Sequence, residues 1–134
     1  MNCLLRPRCF LLLASALMLT GCGPAKLNES KSVTLTGDSP ATTFSLKAQS
    51  SVQKLKIDVA MDSPVNVYVF LEKDAPKMDD NFDVAGKWAE KAKASKKEVS
   101  KEAFTADIPA NEAAVVVVTV GKAGKGTGTL KITN

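Results

Sequence analysis

The stretch Leu55-Lys56-Ile57-Asp58-Val59-Ala60-Met61-Asp62-Ser63-Pro64-Val65-Asn66-Val67-Tyr68-Val69-Phe70-Leu71 decides the fold. Its first part places Leu55, Ile57, Val59 and Met61 on one face and Lys54, Lys56 and Asp58 on the other, the period of a half-buried strand. Asp62, Ser63 and Pro64 read as a turn. Beyond them Val65, Val67, Val69 and Leu71 keep the period of two, while Tyr68 and Phe70 fill the opposite face. A strand with no polar side needs cover on both faces, so this one is expected at the centre of a sheet.

The same period recurs outward from this stretch. Val33 and Leu35 alternate with Ser32, Thr34 and Thr36, and Phe44, Leu46 and Ala48 with Thr43, Ser45 and Lys47. Phe104, Ala106 and Ile108 alternate with Thr105 and Asp107, and a turn follows at Pro109, Ala110, Asn111 and Glu112. The run from Ala113 to Val120 is apolar on both faces, a second central strand. A glycine-rich turn from Gly121 to Gly126 leads to Leu130 and Ile132, which alternate with Thr129, Lys131 and Thr133. Seven short strands joined by turns, with no alternation of strand and helix, predict an all-β, antiparallel, jelly-roll-like sandwich.

One segment breaks the pattern. Residues 74–97 are polar and too long for a tight connection, and Val84, Trp88 and Ala92 share a face if the segment is helical. The reading is an insert carrying a short helix laid over the sandwich edge. Its lysines form a solvated face. Because the strands hold most aliphatic residues, the insert is expected to be dispensable for folding; Trp88 is expected to pack on the sandwich, and is otherwise its candidate partner contact.

The first residues give an address. Arg6 and Arg8 precede an uncharged run from Phe10 to Leu19. That run is about half of what a membrane-spanning helix needs, so it reads as a cleavable export signal, residues 1–21. Leu19-Thr20-Gly21-Cys22 resembles the lipobox of bacterial lipoprotein precursors: an aliphatic residue, two small ones, then cysteine. The resemblance implies cleavage after Gly21 and a lipid on Cys22 that anchors the chain to a membrane. With Cys3 and Cys9 removed, no thiol remains to form a disulfide. Gly23 rather than Asp follows the cysteine, so an outer membrane or cell-surface location is expected over the inner membrane. Residues 22–30 read as the lipidated terminus and a flexible tether, and residues 31–134 as one domain.

Removal of Arg6 and Arg8 lowers a formal charge of +4. The mixed charges that remain make a solvated surface and no nucleic-acid footprint. Phe44-Ser45-Leu46-Lys47-Ala48, Leu55-Lys56-Ile57-Asp58-Val59 and Pro64 to Leu71 together resemble bacterial pre-peptidase C-terminal domains in strand spacing. Gln49 and Ser50 stand where a glycine often lies in the first turn of that family. The resemblance implies an accessory β-sandwich without catalysis.

Chemistry is sparse. The chain has no histidine, which excludes Ser-His-Asp, Cys-His and His-based zinc sites. Ser51 and Lys54 have the spacing of a lysine-activated serine but fall at a strand entry, where the spacing does not bring them to one side. Gly124, Lys125, Gly126 and Thr127 match the end of a phosphate loop, yet Thr119 replaces its first glycine and a strand follows, so a hairpin turn is expected. Asp79, Asn81, Asp83 and Glu90 fall at the first, third, fifth and twelfth places of a calcium loop. Val84 stands where the sharp-turn glycine belongs, so no metal is expected there, only solvated acids and helix caps from Asp83 or Asp80. No cofactor and no catalytic residue are expected. The sequence therefore predicts a lipid-anchored, non-catalytic envelope module that binds or spaces an envelope protein or polysaccharide. A small hydrolase using paired carboxylates on an envelope polysaccharide is the second reading.

Overall fold

The computed structural model describes residues 25–79, 82–84 and 86–134. Among them are six antiparallel strands: β1 (Asn28–Leu35), β2 (Ala41–Leu46), β3 (Gln53–Leu71), β4 (Ala94–Ile108), β5 (Ala114–Val120) and β6 (Gly126–Thr133). Hydrogen bonding runs in the order β1-β6-β3-β5-β2, with β4 on the free edge of β3. The result is an all-β, nearly closed sheet of the sandwich or barrel type. Calcium-loop residue Asn81 and lipobox residue Cys22 lie outside the described residues.

Six strands replace the seven expected because Asp62-Ser63-Pro64 bends β3 without ending it. Six β3 residues, Ala60 to Val65, span only three on β4, Lys101 to Val99, so the extra length bows out and turns the strand. Asp62 Oδ1 accepts the Thr127 amide at 2.8 Å and fixes the bend. Before the bend β3 lies between β4 and β6; after it, between β4 and β5. One strand thus serves two sheets: β1-β6-β3-β4 and β2-β5-β3-β4. Gly128, where β6 meets Met61 of β3, has no space for a side chain: a Cβ would collide with the Ala60 carbonyl.

Between the sheets lies the main core, in which Leu35, Leu55, Ile57, Val65, Val67, Ile108, Val116, Leu130 and Ile132 lose essentially all contact with solvent. A second apolar cluster, Tyr68, Phe70, Val115 and Val117, occupies the outer face of β3 and β5. Nonpolar area removed from water contributes about 25 cal/mol per Å², so both clusters drive folding.

Two expectations shift at the edges. β1 starts at Asn28, paired to Thr133, so residues 28–30 belong to a strand and not to a tether. β4 starts at Ala94, so the connection from β3 ends sooner than residue 97. That connection carries two 3-10 turns, Glu72–Asp74 and Lys87–Lys91, in place of an α-helix.

Candidate binding cleft

The connection from β3 to β4 lies on the outer cluster, and Trp88 is its centre. The indole meets Tyr68 edge-on at 5.0 Å between ring centroids, with Phe82 at 5.1 Å and Phe70 at 5.6 Å. Its Nε1 donates to the Asp83 carbonyl at 2.6 Å, which satisfies the polar end of a half-buried ring. Gly86 lies against the indole, where a Cβ would touch Cδ1 and Nε1. Ala75, Ala89 and Ala92 complete the cover. The insert is therefore a lid on apolar surface that would otherwise face water, which argues against its expected dispensability. Val115 and Val117, the sequence reading's second central strand, need that lid as much as Phe70 does.

Beside the lid a cleft of about 540 Å³ opens between Tyr68 and Asn66 of β3, Lys97 and Glu98 of β4, Lys87 and Glu90 of the lid, and Lys122. Its wall is a β-bulge: two steps on β3, Val65 to Val67, match three on β4, Val99 to Lys96. The bulged residue Glu98 has φ 55°, a left-handed conformation uncommon for a side chain of this kind. Asn66 holds it there. The Asn66 Oδ1 accepts the Glu98 amide at 2.9 Å, and its Nδ2 donates to the Val120 carbonyl at 3.1 Å and the buried Thr119 Oγ1 at 3.4 Å. The Glu98 carboxylate in turn accepts the Lys122 amide at 3.0 and 3.3 Å.

Burial, and secondarily the Glu98 charge, push the Tyr68 phenol above its usual 10.0. It therefore keeps its proton at neutral pH, as a hydrogen-bonding group and not a base. Among the described residues the acids on the cleft are Glu90 and Glu98, and both are exposed. Glycoside cleavage needs one carboxyl held protonated by burial. An exposed Glu90 opposite a Glu98 committed to a backbone amide does not make that pair.

The sequence candidates fare differently. Asp83 accepts Gly86 and Trp88 through its carbonyl, and Gly86 stands at the N-cap of the 3-10 turn Lys87–Lys91, where Asp83 or Asp80 was expected; Asp80 lies outside the described residues. Asp79 accepts the Phe82 amide through its own carbonyl, and Glu90 sits within the turn. Among the described residues no three of the metal-ligating acids or thiols converge. Ser51 Oγ is buried without a hydrogen-bond partner and Lys54 is exposed on the outward side of β3, so the two do not meet. Gly124, with φ 68°, closes the hairpin between β5 and β6 as its amide donates to the Gly121 carbonyl at 3.0 Å. The bulge at Glu98 has no motif in the sequence; its one signal is Asn66, a polar residue inside an apolar run.

No family model matches the chain, and no curated protein matches it. Among solved structures it is similar to a periplasmic inhibitor of g-type lysozyme from Aeromonas hydrophila, PliG, at 15% identity and a TM-score of 0.49, over 83% of this chain and 87% of that one.

Proposed function

We propose that this protein is a bacterial envelope lipoprotein, anchored through a lipid on Cys22, whose sandwich binds another envelope macromolecule through the cleft at Tyr68, Glu98 and Lys122. The observation that carries the binding role is the bulge. Glu98 sits in a strained backbone conformation, its amide held by Asn66, whose own amide group is fixed by two hydrogen bonds to Val120 and Thr119, on a cleft that Tyr68 also lines. Strain of that kind persists only where its surroundings over-determine it, and it clusters at ligand clamps. The anchor rests on Leu19-Thr20-Gly21-Cys22 and the uncharged run before it. Two features of the cleft support a non-catalytic role: Tyr68 keeps its proton, and the Glu98 carboxylate accepts the Lys122 amide.

Two measurements test this. Labelled palmitate should enter the wild type and not Cys22→Ser; equal labelling of both would remove the anchor. A photo-crosslinking residue at Lys87 or Lys122 should capture an envelope macromolecule that the same residue at Lys131, on the opposite sheet, does not. Equal capture at all three positions would refute the cleft as the binding surface.

A further inference from the structure

The end of the sandwich from which the N-terminus leaves is unlike the end that carries the cleft. The backbone is fastened from Ala25 onward: its carbonyl accepts Gln49 Nε2 at 3.0 Å and Asn134 Nδ2 at 3.1 Å. The Leu27 amide donates to Asn134 Oδ1 at 2.6 Å, and the loop bearing Gln49 is itself tied to Asn111, whose amide donates to the Gln49 carbonyl at 2.6 Å. Three links separate Ala25 from Cys22, and an extended chain covers at most about 11 Å in that distance. If Cys22 carries the lipid, this end is held at the bilayer surface and cannot swing away on a long tether.

The residues there suit such a position. A groove of about 580 Å³ runs between the unpaired edges of β1 and β2 and is lined by Lys26, Lys31, Lys47 and Glu29. Lys31 is paired with Glu29 at 2.7 Å, while Lys26 and Lys47 have no ion pair among the described residues and are exposed. Beside them Val52 is 65% exposed, more than Met78, the other exposed large hydrophobic among the described residues. Two ammonium groups on the groove and an exposed apolar side chain between its residues Ser50 and Gln53 match a layer in which phosphate lies above acyl chain.

We infer that this end is a membrane-docking surface for anionic phospholipid, with Lys26 and Lys47 on the phosphates and Val52 at the acyl boundary, so that the cleft at the far end points away from the membrane. The inference rests on the lipid-anchor reading. Docking also gives the anchor a second membrane signal and fixes which face a partner meets.

The test uses the mature lipidated chain in vesicles containing a quencher lipid, with a fluorophore on Ser50→Cys at the near end or Lys125→Cys at the far end. In vesicles with anionic phospholipid, quenching at position 50 should exceed that at position 125 several-fold. Lys26→Ala with Lys47→Ala, or vesicles of neutral lipid, should shrink the difference while the chain stays bound. Equal quenching at both positions in the wild type overturns docking. The intact mass, measured first, separates the two claims: a chain without acyl groups sinks the anchor, whereas an acylated chain with equal quenching sinks docking alone.

Discussion

The two halves of β3 are one strand with two kinds of neighbour. Before the bend its residues alternate between buried and exposed, with Leu55, Ile57 and Val59 inward and Lys54 and Lys56 outward. After the bend Tyr68, Phe70 and Leu71 are as buried as Val67 and Val69. The outer face of the first half needs only water, and the outer face of the second needs the lid. A sheet faces solvent on one side when its sequence alternates; a strand apolar on both sides obliges the chain to supply a second layer. Here the layer comes from the connection that follows β3 directly.

The largest expected effect comes from removing that layer. Replacing residues 75–91 with a Gly-Ser linker exposes Tyr68, Phe70, Val115 and Val117 together, a loss on the order of 5 kcal/mol or more, comparable to a domain's whole stability. Urea unfolding followed by circular dichroism should show a lost or much weakened transition. A change under about 1 kcal/mol would mean the second half of β3 needs no lid. Within the comparison, Phe70→Ala should cost about 3 to 5 kcal/mol, while Lys56→Ala, outward on the first half, should fall within about 0.5 kcal/mol.

Trp88→Ala probes the lid from its own side. The indole is half-buried, so about 3 kcal/mol is expected, the low end for an aromatic removed from a core. A partner-anchoring tryptophan would instead leave stability untouched, an outcome that the three rings around Trp88 argue against.

What sequence could show follows from the same contrast. Period-two patterns reveal which side of a strand is buried, so the all-β class and the two-sided burial of Val65–Leu71 were legible. They say nothing about continuity: Asp62-Ser63-Pro64 has turn residues and yet only bends, because β4 pairs on both sides of it. Trp88 was legible as an apolar residue in a polar insert, but not its 3-10 turn, because Gly86 and short-range carbonyl bonds shape that segment. The Glu98 bulge left one trace, Asn66 as a polar residue in an apolar run, and its geometry was not legible. It is made by a count mismatch between strands distant in sequence, which no local pattern records.

A smaller effect should appear in alkali. Because the folded state holds the Tyr68 phenol above 10.0, the unfolded chain loses that proton first as pH rises. The contribution is fully present below pH 10 and is lost above it, so stability falls on the alkaline side. Tyr68→Phe should fall less steeply there than the wild type in parallel denaturation curves. Identical slopes would mean the phenol is no more shielded than an unfolded one.

The smallest effect belongs to the uncovered half. Lys56 Nζ lies 3.2 Å from Asp58 Oδ1 on the outward side of β3, and both side chains are well exposed, 56% and 37%. Water screens the attraction and holding two side chains together costs rotamer freedom, so a pair of this kind contributes about 0 to 1 kcal/mol. Lys131, opposite Asp58 on β6, offers the carboxylate a second cation and dilutes the pair further. A double-mutant cycle of Lys56→Ala and Asp58→Ala should therefore give a coupling below about 0.5 kcal/mol that vanishes at high salt. A coupling of about 2 kcal/mol that survives salt would require a dry environment. The first half of β3 would then be covered in solution, and the contrast between the halves would describe an isolated chain and not the protein at work.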